Sequence, residues 1–200
     1  MKKPLYFILV AIMGACCITG CKKGASMKLS ELNESTILLL GNGKVQGASV
    51  EEFDKSYYDK DELKDFVKND IDTFNAKDGN EEAVKLEEFN VSDKTAKVLL
   101  SYKDIAEYNE YNSSDIQVLT MEEAVEKNVL PDTLLDVLNS SEVSKADVSA
   151  NSDYMVAIAN ELIDIQTEGK IKYYSNVMLL NEQTAQSMEG KTSIIVYEKK

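Results

Sequence analysis

The sequence predicts an α+β fold, with helices packed on an antiparallel sheet and a β-rich C-terminal third. Three observations carry this. Leu63, Phe66, Val67, Ile71 and Phe74 recur at the i, i+3, i+4 spacing of one helix face. Two alternating apolar segments flank Ser92-Asp93-Lys94-Thr95, the pattern of a hairpin. From Tyr154 onward the chain reads as short apolar and β-branched runs broken by turn residues. At 200 residues, 44% apolar and 28% charged, it is long enough to bury a core as one domain, or at most two small ones.

The elements follow in order. Thr36 to Leu40 is apolar, Gly41-Asn42-Gly43 is turn chemistry, and Lys44 to Phe53 can return as the partner strand. Asp59, with Glu62 three residues on, opens the amphipathic helix like a capping box, and Gly79 is its expected stop. Its outer face, with Lys60, Lys64, Asp65, Lys68 and Asp72, reads as solvated. Val84–Val91 and Ala96–Tyr102 form the second hairpin. Asp104 with Glu107 opens a short helix carrying Ile105, Tyr108 and Tyr111, and Gln117–Thr120 is a short strand. Thr120 with Glu123 is another capping box. Pro131 interrupts or restarts the helix that follows, with Leu134, Leu135 and Leu138 continuing its apolar face.

Residues 139–153, rich in Ser, Asn, Asp and Lys, read as a surface loop or linker and are a candidate internal boundary. One domain whose sheet gathers strands from both sides of it is the favoured arrangement. Tyr154–Ala159, Leu162–Thr167, Ile171–Tyr174, Val177–Leu180 and Ser193–Tyr197 are the late strands. Glu168-Gly169-Lys170 and Glu189-Gly190-Lys191 look like two hairpin turns.

Composition removes whole classes of chemistry. The chain has no His and no Trp, and its 22 basic residues are all Lys. There can be no Ser–His–Asp triad, no Cys–His pair, no imidazole-ligated zinc and no guanidinium fork for phosphate. A net charge of −13 argues against nucleic acid as a partner. The acid excess lies almost wholly in residues 51–168. Lys-only, His-free, Asn-rich usage suggests an AT-rich genome and a Gram-positive cell.

The N-terminus reads as an address. Lys2 and Lys3 precede an uncharged stretch, Leu5–Ile18, which is short for a permanent membrane span. It ends Ile18-Thr19-Gly20-Cys21, followed by Lys22-Lys23. This resembles the lipobox of bacterial lipoproteins: an aliphatic residue, two small residues, then cysteine. The resemblance covers about the first twenty-one residues. It implies a signal peptide at 1–20 and a diacylglyceryl thioether, with palmitate-type chains, at Cys21. It also implies display on the extracytoplasmic face of the cell membrane, anchored by the lipid. Residues 21–35 are then expected as a tether and 36–200 as the domain. Cys16 and Cys17 leave with the signal peptide, so no disulfide is expected.

Local motifs for catalysis are weak. Gly190-Lys191-Thr192 ends like a phosphate-binding loop, but Ala185 stands where a glycine is needed and a strand follows. Asp59-Lys60-Asp61-Glu62 lacks the later oxygens and the glycine of a calcium loop. Paired carboxylates are uninformative among 35 acids. No metal or cofactor is expected. Tyr57-Tyr58, Tyr108/Tyr111 and Tyr173-Tyr174 are the aromatic clusters, and on a strand one member of an adjacent pair should be core. Tyr108 and Tyr111 are the candidate ligand ledge, for a protein or glycan. The expected function is a non-catalytic binding module at the cell surface. The alternative is a small extracellular hydrolase or wall-modifying enzyme using Ser/Lys or carboxylate chemistry.

Overall fold

The computed structural model describes residues 26–77 and 79–200. The expected signal peptide and the expected lipidation site, Cys21, lie outside them. The fold is α+β and rich in sheet, with 40% strand against 22% helix. Among the described residues, a short 3-10 turn at Leu29–Glu31 is followed by thirteen strands and four α-helices in order: β1 (Thr36–Leu39), β2 (Val45–Glu52), α1 (Lys60–Asn75), β3 (Val84–Ser92), β4 (Thr95–Tyr102), α2 (Ile105–Asn112), β5 (Gln117–Thr120), α3 (Met121–Glu126), β6 (Thr133–Asp136), β7 (Glu142–Ser144), α4 (Lys145–Ser149), β8 (Tyr154–Ala159), β9 (Asp164–Thr167), β10 (Ile171–Ser175), β11 (Val177–Asn181), β12 (Thr184–Ser187) and β13 (Ser193–Glu198).

The strands form two sheets, not one. The larger runs β11-β12-β9-β1-β2-β4-β3, the smaller β5-β8-β13-β10-β6-β7. The smaller is antiparallel throughout. In the larger, β1 and β9 pair in parallel, Thr36 opposite Asp164. Each sheet joins strands from before residue 139 and after residue 153.

Side-chain alternation explains how the sheets bury. Ile195 and Tyr197 of β13, with Ala157 and Ala159 of β8, enter a cluster shared with Ile37, Leu39 and Ile165 of the larger sheet. Their neighbours Ile194, Val196, Val156 and Ile158 enter a second cluster with Met121, Ala124, Leu134 and Val148. Strands β8 and β13 are therefore buried on both faces, which is why they read as unbroken apolar runs. In the larger sheet, Leu38, Ala48 and Leu99 point the other way, into a third cluster completed by Met27 and Leu29.

Local chemistry sets the element ends. Gly43 has φ +83°, and its N–H donates to the Leu40 carbonyl, closing the first hairpin. Asp93 and Lys94 both lie at positive φ, the backbone of a tight primed turn between β3 and β4. Asp59 Oδ1 accepts from the backbone N–H of Asp61 at 2.7 Å and Glu62 at 3.0 Å, starting α1. At α3 the capping box is complete. Thr120 Oγ1 accepts from Glu123 N–H, and Glu123 Oε2 accepts from Thr120 N–H at 2.8 Å. That backbone hydrogen bond holds the Glu123 carboxyl below its ordinary range.

Several expectations are corrected. Helix α1 ends at Asn75, before Gly79, because the Asn75 side chain leaves the helix to bond both backbone groups of Val84. After Pro131 the chain becomes strand β6, and Leu138 is 93% exposed in the turn beyond it. Residues 139–153 contain β7 and α4, whose N-terminus is capped by Ser144 and whose Val148 is fully buried. The expected tether is partly core, since Met27 and Leu29 are buried. Gly169 and Gly190 sit in links between the two sheets, not in hairpins, because β9 and β12 belong to one sheet and β10 and β13 to the other. At Gly169 a Cβ would overlap the Glu198 carbonyl, so the glycine serves close backbone approach.

Candidate functional site

The expected Tyr108/Tyr111 ledge is not present as an exposed surface. Tyr108 is buried and Tyr111 is half-buried. Both rings stack edge-to-face on Tyr102, at 5.0 and 5.8 Å between centroids, and Tyr111 also meets Phe74 at 5.2 Å. Gly47 makes this possible, since a Cβ there would stand 3.0 Å from both the Tyr102 and Tyr108 rings. Burial pushes the Tyr102 hydroxyl up to about 12, against the opposing hydrogen bond from Asn112, and raises those of Tyr108 and Tyr111 further. Tyr102 and Tyr108 are core, and Tyr111 packs against them at its edge.

The exposed aromatics lie elsewhere. Strand β2 outruns β1: their pairing ends at Ala48–Thr36, whereas β2 and β4 continue together to Glu52–Thr95. The inner face of that extension is covered only in part. The C-terminal half of α1 is seated through Ile71 and Phe74, but its first turns leave Phe66 68% exposed. The predicted buried stripe is thus correct at Ile71 and Phe74 and wrong at Phe66.

Between the first turns of α1 and the ends of β2 and β4 lies a groove of about 550 Å³. Ser49, Ala96 and Val98 line it from the strands, and Leu63 and Phe66 from the helix. Phe53, Tyr57 and Tyr58, from the link into α1, complete its apolar lining. Tyr57 is 76% exposed, and its ring stands edge-to-face on Tyr58 at 5.0 Å, which in turn meets Phe53 at 4.9 Å. The rim carries four carboxylates, Glu51, Glu52, Asp59 and Glu62. Among the described residues none of the four stands in an ion pair. Asp59 spends one oxygen on the helix cap.

A second hollow, of about 280 Å³, lies beside Leu138, Tyr154 and Tyr173. Its lysines are already matched: Lys170 to Glu182 at 2.7 Å and Lys172 to Glu198 at 2.8 Å. The hydrogen bond between Lys172 and Glu198 raises the one and lowers the other. Tyr173 and Tyr174, adjacent on β10, join opposite clusters, as strand alternation requires.

Comparison with protein-family models, curated proteins and solved structures finds no match. The groove therefore rests on its own geometry. Among the described residues no group of His, Cys, Asp and Glu is arranged to hold a metal, and no helix is long and apolar enough to cross a membrane. The buried hydroxyls of Thr167, Ser187 and Ser193 all donate to backbone carbonyls. Tyr57-Tyr58 was visible in the sequence as a cluster. The signal that would have ranked it first is its position outside any strand, where alternation does not send one ring inward, beside Phe53 and a run of acids.

Proposed function

We propose that the protein is a non-catalytic binding module, held by lipid on Cys21 at the extracytoplasmic face of the membrane, and that the aromatic groove is its recognition surface. On this reading the helices pack on the sheets as a rigid frame, and the groove is where the frame is left open. The observation that carries it is the exposed Tyr57/Tyr58/Phe66 surface, backed by the half-buried Phe53. Large exposed aromatics that gather in one concave place are costly to leave in water and suit recognition. The anchor gives the domain a short leash, because only four residues lie between Cys21 and Ser26. That five-residue step reaches roughly 17 Å at full extension.

Photocrosslinking in intact cells tests the reading. A Tyr57→p-benzoylphenylalanine variant of the full chain should crosslink to an extracytoplasmic component, while the same residue at the exposed Glu122 of α3 should not. In the same preparation, mass spectrometry should find an N-terminal diacylglyceryl Cys21. Equal crosslinking from both positions would overturn the groove, and a chain still beginning at Met1 would overturn the anchor.

A further inference from the structure

The chemistry of the groove narrows its occupant, given that the groove is the recognition surface. Its rim holds Glu51, Glu52, Asp59 and Glu62, and no lysine lines it. The surrounding segment 51–62 carries six acids against two lysines, one of which, Lys55, is paired with Asp54 at 2.7 Å. The N-terminus of α1 would itself attract an anion, but Asp59, Asp61 and Glu62 already occupy that end. An anionic polymer or an anionic bilayer surface would meet net repulsion here. A cation would meet carboxylates and the faces of exposed aromatic rings, both of which attract it. The apolar floor at Val98, Leu63 and Phe66 needs a second element, a hydrophobic side chain next to the charge. Neutral sugars supply no cation, and small polyamines supply no bulky apolar side group. An extended peptide with alternating basic and apolar residues supplies both along one strand, because successive side chains point to opposite sides.

We propose that the groove binds an extended, lysine- or arginine-bearing peptide segment, with its basic groups on the rim carboxylates and an apolar side chain over Phe66 and Val98.

The chain has no tryptophan, so the emission of a Trp-bearing probe reports binding without background. Full-length protein in neutral detergent is titrated into the amidated peptide Lys-Trp-Lys-Leu-Lys, into its Glu-Trp-Glu-Leu-Glu counterpart, and against chitotetraose as competitor. The lysine peptide should bind saturably and more weakly as salt rises. Its affinity should fall at least about tenfold in Phe66→Ala and in the triple variant Glu51→Gln, Glu52→Gln, Glu62→Gln. Both variants alter exposed side chains, and unchanged thermal melts verify that they fold. Equal binding of the glutamate peptide overturns the proposal. So does failure of the lysine peptide to bind. If the lysine peptide does not bind while the protein's tyrosine emission reports chitotetraose binding that Phe66→Ala abolishes, the groove stands as a recognition surface and the peptide assignment falls. If the lysine peptide binds undiminished to both variants, the groove itself is not the site.

Discussion

Replacing Phe74 by alanine is expected to cost about 3–5 kcal/mol, a large share of the roughly 5–15 kcal/mol typical of a folded domain. Phe74 is only 6% exposed and lies in the shared cluster with Val84, Leu100 and Tyr102. Its ring meets Tyr111 edge-to-face, and the Lys77 ammonium stands 4.6 Å from its centroid. Truncation would leave a cavity that β-strands on one side and Tyr111 on the other cannot readily fill. Phe66→Ala, two turns earlier on α1, should change stability by no more than about 0.5 kcal/mol. Urea titration checks both. The Phe74 variant should lose its midpoint without a change in slope, while the Phe66 variant should overlay the parent. Equal losses would mean that α1 is rotated relative to the arrangement described.

Leu29→Ala is the second large effect, at about 2–5 kcal/mol. Leu29 is 1% exposed and shares its cluster with Met27, Leu38, Ala48 and Leu99. Polar bonds hold this segment in place as well. Met27 N–H donates to Gln46 Oε1 at 2.9 Å, and the Lys97 ammonium donates to the Leu32 carbonyl. The segment thereby covers the outer face of β1, β2 and β4, which would otherwise show Leu38 and Leu99 to water. A thermal melt decides the matter. A lowered midpoint places residues 27–32 in the core, and an unchanged one returns them to the role of a tether.

What the sequence disclosed follows the range of the interactions involved. The starts of α1 and α3 were legible because a cap is written in three or four consecutive residues, Asp59–Glu62 and Thr120–Glu123. The two early hairpins were legible because turn and alternation are equally local. Strand β12, Thr184-Ala185-Gln186-Ser187, was not, because only Ala185 carries an apolar signal. Helix α4 has five residues, too few for a period to register. The division into two sheets was hidden because β1 pairs with β9 across most of the described chain, a choice no local window contains. The groove escaped for a related reason. Phe66 fits the buried stripe by spacing, and only the overhang of α1 beyond the closed part of the core leaves it exposed.

We place recognition at the open end of the larger sheet. Amide chemical-shift mapping during titration with the lysine peptide locates the contact residue by residue. Shifts should be confined to Ser49–Phe53, Tyr57–Phe66 and Ala96–Val98. Shifts centred on Ile105–Asn112, or on Asp136–Leu138 with Lys170–Tyr173, would contradict it.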